Sequence, residues 1–358
     1  MKRSAAETIG VRATLPSLAE AVCPRGVAGG ATRTDDDRLG TLASRFSTGD
    51  SLCLSRPTTR RRALAPFRYV DVGLDHGLAH KEKYVTDREN TSSWKRFWER
   101  GGWWRSLLLV VAYFVLYQLG SLVFGPLLAV TDDPALQIVV GTALPIALGG
   151  VILVVFGWST GWLREVFGPQ PIRGRWWMWI AVVAVLLFNL LRFATIDYSK
   201  AGAGVVIAWL VAGLFIGFAE EVLTRGYVVN LMRKAGYREI VVALISAALF
   251  AALHSGNLLS GQSPFATLVQ LVYTFAFGLC MYLTLRVTGN IIWPILLHAS
   301  TDPSIFLQTV YPSDSPLTAL AGLGNIAVIA TGLILLIFIR GRVANPSHFA
   351  DTTDRVNS

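Results

Sequence analysis

The chain has 358 residues, of which 53% are hydrophobic and only 15% are charged. This composition excludes a soluble globular domain for most of the chain and favours a membrane protein. The net charge of +9 does not indicate nucleic-acid binding, because the basic residues lie near the N-terminus and at the ends of apolar segments, with no aromatic RNA-binding motif. No nucleic acid is therefore expected as a partner.

The charged residues divide the chain into two parts. Residues 1–103 contain 18 of the 32 Lys and Arg residues and 12 of the 23 Asp and Glu residues. Residues 1–93 lack sustained periodicity, and we expect a polar, largely disordered cytoplasmic extension without a cleavable signal peptide. Residues 94–342 are predicted to form the membrane domain, and residues 343–358 a cytoplasmic tail.

The membrane domain begins with an aromatic and basic stretch, 94–105, which is typical of a membrane interface. Eight apolar segments follow, most of them with the roughly 20 residues needed to cross a bilayer. They are predicted at 104–130, 135–157, 176–196, 203–232, 240–256, 265–286, 290–309 and 317–340. The predicted fold is therefore an all-α polytopic membrane protein with about eight transmembrane helices.

The loops between these segments predict the orientation. Basic residues occur at every second boundary: Lys95, Arg96, Arg100 and Arg105; then Arg164, Arg173 and Arg175; then Arg233, Lys234 and Arg238; then Arg286; and finally Arg340 and Arg342. The alternate boundaries have few basic residues or none. By the positive-inside rule, both termini should be cytoplasmic in a multi-pass protein of the plasma membrane.

Three ionisable residues lie within the fourth apolar segment: Glu220, Glu221 and Arg225. One charge at the bilayer centre costs roughly 2.5–3.5 kcal/mol on insertion scales, so such residues indicate a functional site. Glu221 and Arg225 have the i, i+4 spacing of a helical ion pair. Glu220 points about 100° away from Glu221. It has no partner within its own helix and is therefore a candidate general base.

Histidines in two other segments lie at a similar depth. Helical rise places Glu220 about 20 Å and His254 about 21 Å from the cytoplasmic ends of their segments. His298 and Asp302, one helical turn apart, lie about 12 and 18 Å from theirs. Phe250 shares a face with His254 and should form an aromatic wall beside it. The depths predict that the three helices share one polar cavity.

These residues form three motifs: Glu220-Glu221-x-x-x-Arg225, Phe250-x-x-x-His254 and His298-x-x-x-Asp302. In this order, on separate membrane helices, they resemble the CAAX-protease and bacteriocin-processing (CPBP, or Abi) family of intramembrane endopeptidases. The segment from Gly289 to His298 is also similar to that family's approach to its third motif. The resemblance covers about residues 203–303.

The resemblance implies a role for each motif residue. Glu220 and His254 would activate a water molecule, Glu221 and Arg225 would hold the catalytic helix, and His298 would help to stabilise the oxyanion. The family commonly has Asn at the position of Asp302, and an ionised Asp cannot donate a hydrogen bond there. The residue would be protonated, or orient His298, or leave the role to another donor.

A metal site is the other possibility that the same side chains leave open. Glu220, His254 and His298, with Asp302, are a plausible ligand set for a divalent metal such as zinc. No HExxH motif is present to indicate a zinc site independently. The sequence therefore allows either a glutamate protease or a metalloprotease.

The leading interpretation is a CAAX-type intramembrane endopeptidase that cleaves a membrane-associated or lipidated peptide. We expect it to lie in the lipid bilayer and to be reached from the cytoplasmic half of the membrane. The alternatives are a non-catalytic bacteriocin-immunity or scaffold protein and an ion-coupled transporter that uses the same polar residues as a relay. No repeat between the two halves of the domain supports the transporter.

Other polar or small residues in the spans have structural interpretations. Arg192 is expected to reach the membrane interface or to pair with Asp197. Gly149 and Gly150 indicate close helix packing, and Cys280 a small core residue.

Overall fold

A computed structural model describes residues 92–343. The predicted extension and C-terminal tail lie almost wholly outside these residues. The described chain forms the following helices: α1 Ser93–Glu99, α2 Trp103–Leu128, α3 Pro134–Thr160, α4 Leu163–Phe167, α5 Trp176–Ala194, α6 Tyr198–Lys234, α7 Glu239–Leu258, α8 Pro264–Thr288, α9 Ile292–Val310 and α10 Leu317–Leu336. Residues 92–343 contain no strand, only two isolated bridges. The predicted all-α membrane fold is confirmed.

The predicted spans agree with the helices to within a few residues. Among residues 92–343, seven helices are long and apolar enough to cross a membrane. They are α2, α3, α5, α6, α7, α8 and α10. The 19-residue α9 corresponds to the predicted seventh span, but it is less apolar because it contains polar residues such as His298 and Asp302. A helix of this kind needs neighbours on several sides, and α9 packs against α5, α6 and α8.

The outer surface of the bundle is apolar. Leu122 on α2, Val183 on α5 and Ile207 on α6 are 72%, 59% and 60% exposed. Large exposed apolar side chains on several helices suit contact with lipid rather than water. By contrast, every residue from Ala276 to Arg286 in the C-terminal half of α8 is buried. A helix that is buried on all sides lies in the centre of the bundle.

The helix α6 is not a uniform α-helix. Gly202 interrupts it near its start with a φ of +74°, so the regular helix begins close to the predicted residue 203. Further along, Val222–Val228 adopts a π-helix before the α-helix resumes at Val229–Lys234. Such widened turns are frequent at functional sites, and this one immediately follows Glu220 and Glu221.

At the end of the bundle with the basic loops, one buried carboxylate joins three helices. Glu239, at the start of α7, accepts hydrogen bonds from Arg233 Nε and Nη2 at 2.9 and 2.8 Å and from Arg286 Nη1 at 3.0 Å. The Tyr282 hydroxyl also donates to Glu239. In the sequence, Arg233 and Arg286 indicated only the orientation of the spans. Their second role is to connect α6 and α8 to α7 through a fully buried anion.

We predict that Glu239→Gln destabilises the fold. The substitution leaves two buried guanidinium groups without their shared counter-charge, and breaking a buried ion pair costs about 3–5 kcal/mol. The thermal unfolding midpoint of the purified protein in detergent should fall clearly.

The matched control is Glu165→Gln. Glu165 pairs with Lys234 at 3.1 Å at the same end of the bundle, but its side chain is 46% exposed. Exposed pairs contribute about 0–1 kcal/mol, so this midpoint should barely change. Equal shifts for the two variants would contradict the role assigned to Glu239.

Candidate active site

The close approach of α6 and α9 sets the geometry of the site. A Cβ atom on Gly217 would lie 2.6 Å from the carbonyl oxygen of Ile295, and one on Gly213 would lie 2.4 Å from Pro303. Only glycine allows the two helix backbones to come so close. The Gly213-x-x-x-Gly217 spacing is a small-residue packing motif of membrane helices. The predictions from the sequence did not include this contact, although the spacing of the two glycines indicates it.

This approach brings His298 on α9 against Glu221 on α6. The Nδ1 atom of His298 lies 2.8 Å from Glu221 Oε1. The Nη1 atom of Arg225 lies 3.2 Å from the same oxygen, which is the ion pair expected from the i, i+4 spacing. Because a carboxylate only accepts hydrogen bonds, Nδ1 of His298 must carry the proton. Glu221 therefore fixes the orientation of the His298 ring.

The other ring nitrogen of His298 faces two further carboxylates. Its Nε2 atom lies 3.6 Å from Glu220 Oε2 and 3.7 Å from Asp302 Oδ2. Glu221 is fully buried, whereas the side chains of Glu220 and Asp302 are 17% and 25% exposed. Glu221 thus holds the His298 ring through Nδ1, and the accessible carboxylates of Glu220 and Asp302 lie on either side of Nε2.

His254 approaches from α7. Its Nδ1 atom lies 3.1 Å from the carbonyl oxygen of Phe250, which leaves Nε2 without a protein partner among residues 92–343. The ring of Phe250 stands edge-on to His254 at 5.0 Å and to His298 at 5.8 Å between centroids. The aromatic wall that the sequence predicted beside His254 is therefore present. The guanidinium of Arg225 lies 4.4 Å above the same ring.

Glu220 and His254 line one cavity of about 790 Å³. The remaining wall comes mainly from α2, between residues 113 and 125, and from the end of α7 and the turn after it, where Gly256, Asn257, Leu259 and Ser260 line the cavity. His298 and Asp302 lie behind Glu220 and are not part of this wall. The structure therefore places five of the six candidate residues in one contact network, and His254 joins them across the cavity and through Phe250.

The position of the cavity differs from the expected access route. Its wall includes the end of α7 with the turn after it, a boundary without basic residues, and the C-terminal half of α2. These lie at the end of the bundle opposite Arg164, Arg233 and Arg238. With cytoplasmic termini, the cavity would extend towards the non-cytoplasmic half of the membrane, not the cytoplasmic half. The depth of the polar residues along their helices does not show towards which end of the bundle the cavity opens.

The four candidate metal ligands do not all meet at one point, because His254 lies across the cavity from the other three. Within the part of the chain that the structure describes, no three His, Cys, Asp and Glu side chains are grouped as a metal site requires. His298 has Nδ1 engaged by Glu221 and Nε2 between two carboxylates. No step is assigned to a metal.

A second polar cluster joins α5 to α9 and α10. Asn189 Nδ2 lies 2.9 Å from Ser300 Oγ and 2.8 Å from Thr301 Oγ1, and Arg192 Nη2 donates to Asn325 Oδ1 at 2.9 Å. The prediction for Arg192 was wrong. It is only 4% exposed, and Asp197 pairs instead with Lys200 at 2.8 Å. A buried guanidinium has to be hydrogen-bonded, and the side-chain oxygens of Asn189 and Asn325 accept these bonds. A hydropathy pattern does not show such contacts between helices.

Part of the chain matches a known protein family. Residues 202–303 match the family model described as Rce1-like, type II CAAX prenyl endopeptidase. The predicted resemblance to this family is thereby confirmed over these residues. The match begins at the Gly202 break of α6 and ends one residue after Asp302, so it contains every candidate site residue but neither α2 nor α3. No curated protein matches the chain. At the level of the family, the match supports a multi-pass intramembrane protease of the CAAX type.

We predict that the two neighbouring glutamates differ in their effect on stability. Glu221→Gln removes the only acidic group in contact with Arg225 among the described residues, and breaking such a buried pair costs about 3–5 kcal/mol. Glu220→Gln breaks no hydrogen bond of the carboxylate within 92–343. The unfolding midpoint in detergent should therefore fall for Glu221→Gln and stay close to the wild type for Glu220→Gln. The reverse order would contradict the division between a positioning and an accessible carboxylate.

Proposed function

We propose that this protein is an intramembrane endopeptidase that cleaves a membrane-associated or lipidated peptide by means of a water molecule activated by Glu220 and His254. The observation that carries the proposal is the contrast between the two glutamates. Glu221 is buried and engaged, whereas the neighbouring Glu220 opens into the cavity that His254 also lines. A general base requires an accessible carboxylate with a free oxygen.

The proposed reaction begins with a water molecule between Glu220 and His254. As the water oxygen attacks the scissile carbonyl carbon, its proton passes to Glu220 and the carbonyl oxygen becomes an oxyanion. His298 lies beside Glu220 and, with both ring nitrogens protonated, keeps Nδ1 on Glu221 and directs Nε2 to this region. Glu220 then returns the proton to the amide nitrogen, the C–N bond breaks, and the two peptide products leave.

The substrate class follows from the wall of the cavity. Alongside Glu220 and His254, the cavity is lined by Leu119 and Leu122, which are 57% and 72% exposed on the apolar surface of α2. A site with a polar centre and a lipid-facing apolar side suits a peptide that already lies in the bilayer. A lipidated peptide fits this description, since its apolar chain can lie against α2 while its backbone reaches Glu220.

We predict that Glu220→Gln abolishes proteolysis while leaving the protein folded. The amide cannot accept the proton from water, and losing a general base lowers the rate by about 10²–10⁴-fold. Turnover would be measured on a farnesylated peptide ending in a CAAX sequence, in liposomes that contain the purified protein. Its unfarnesylated counterpart shows whether the lipid is required.

Two controls accompany this assay. Glu165→Gln, which alters an exposed ion pair at the opposite end of the bundle, should retain wild-type turnover. The turnover is measured on metal-free protein. If turnover depends strictly on added zinc, the protein is a metalloprotease and Glu220 and His254 do not activate the water alone. Full turnover by Glu220→Gln would refute the proposed base, and a folded wild type that cleaves neither peptide would favour a scaffold protein.

We also propose that both termini are cytoplasmic, so that the cavity faces the other half of the membrane. The alternation of basic loops supports the cytoplasmic termini. Gly256, Asn257, Leu259 and Ser260, at the opposite end of the bundle, line the cavity and support its position.

In a background without the native cysteines, Ser260→Cys should react with a membrane-impermeant thiol reagent in intact cells. Arg175→Cys, an exposed position at the opposite end, should react only after the cells are lysed. Labelling of Arg175→Cys alone in intact cells would invert the orientation and place the cavity on the cytoplasmic side.

A further inference from the structure

The charge of the cavity limits which peptides it can bind. Among the described residues that line it, Glu220 is the one carboxylate, and none is a lysine or an arginine. The other polar side chains of the wall, apart from His254, are neutral and include those of Tyr117, Gln118, Ser121, Asn257 and Ser260. Neutral groups can hydrogen-bond to a peptide amide, but they give a second carboxylate no counter-charge.

Some of these neutral donors already have protein partners. Ser121 Oγ donates to the Tyr117 carbonyl oxygen at 2.9 Å, and Asn257 Nδ2 donates to Gln270 Oε1 at 2.7 Å. His254 is the remaining group of the wall that could carry a positive charge, but in the proposed reaction it holds the water molecule. A carboxylate in this cavity would therefore lose its hydration without gaining a cation.

The cations behind the wall are already balanced. Arg225 is 1% exposed, pairs with Glu221 at 3.2 Å and lines a separate cavity of about 580 Å³ at the end with the basic loops. The ring of His298 lies between the carboxylates of Glu220 and Asp302. Neither residue has a positive charge to offer to a second carboxylate in the cavity.

The end of the bundle towards which the cavity extends is acidic as well. Within the part of the chain that the structure describes, the loops and first helical turns at this end contain Asp132, Asp133, Asp197 and Asp314. Lys200 is the one basic residue there, and it pairs with Asp197 at 2.8 Å. A carboxylate that reaches the mouth of the cavity is therefore repelled there too.

The distance to the basic loops completes the argument. Three residues of an extended peptide span at most about 10 Å, whereas Glu220 lies about 20 Å along α6 from the basic end of the bundle. If the scissile bond lies beside Glu220, a free C-terminus three residues further on remains in the cavity or at its mouth. It cannot reach a lysine or arginine in either direction.

We propose that the cavity selects an internal bond of a membrane-embedded chain and disfavours a substrate whose free C-terminal carboxylate lies three residues beyond the scissile bond. The preferred substrate has an uncharged stretch on that side of the bond, with its C-terminus outside the cavity. This inference rests on the proposed protease function and deepens it by naming the substrate class.

The test compares three farnesylated peptides in the liposome assay. The first ends in a CAAX sequence with a free carboxylate, the second is its C-terminal amide, and the third continues for eight neutral residues before a free carboxylate. The amide and the extended peptide should have kcat/KM values at least about tenfold above that of the first, because like charges about 10 Å apart repel by this much at an effective dielectric constant of about 20. The first peptide is still cleaved, but more slowly.

A charge variant tests whether this preference is electrostatic. Ser260 lines the cavity and is exposed, so a longer side chain fits there without disturbing the fold. In Ser260→Lys, the ratio of kcat/KM for the amide to that for the carboxylate should fall at least about threefold, because the ammonium offsets the charge of Glu220. The matched neutral variant Ser260→Gln should keep the wild-type ratio.

The outcomes separate this inference from the proposed function. If the wild type cleaves the free carboxylate as well as the amide, or better, the inference is overturned while the protease remains. A preference for the amide that Ser260→Lys does not reduce, or that Ser260→Gln reduces equally, also overturns it. A wild type that cleaves none of the three peptides contradicts the proposed function itself.

Discussion

The arrangement of the candidate site depends on one shared oxygen atom. Oε1 of Glu221 contacts Arg225 from its own helix and His298 from α9 at the same time. This carboxylate lies in the apolar interior, where an unpaired charge would be very costly. The cost constrains three side chains on two helices to a single arrangement. A site that has to hold a histidine ring in one orientation benefits from this constraint.

Glu220 has no hydrogen-bond partner for its carboxylate among residues 92–343, because Glu221 already pairs with Arg225 and His298. It follows Ala219 near the end of the regular part of α6, and the helix widens into the π segment just beyond Glu221. Glu221 satisfies Arg225 and His298, so Glu220 needs no structural partner and can face the cavity. Two adjacent residues of the same type thus acquire different chemistry because successive helical positions point in different directions.

The sequence predicted the parts of this site that depend on helical periodicity. The i, i+4 pairs, the wall formed by Phe250 and the common depth of Glu220 and His254 all follow from regular helix geometry. It did not predict the Glu221–His298 contact, because that depends on how α6 and α9 pack. Gly213 and Gly217 permit that packing, and their spacing could have indicated it. The buried environment of Arg192 and the multiple contacts of Glu239 were also missed, because hydropathy and loop charge do not show which polar residues meet between helices.

The segment that matches the family and the helices outside it contribute different parts of the cavity. Residues 202–303 contain the polar groups that would activate water, but they form only part of the cavity. The other wall is α2, which carries lipid-facing leucines as well as Tyr113 and Tyr117. A substrate that enters from the bilayer would therefore contact α2 as well as the motif residues. The same chemistry can thus be directed to different peptides by a helix that carries none of the motifs.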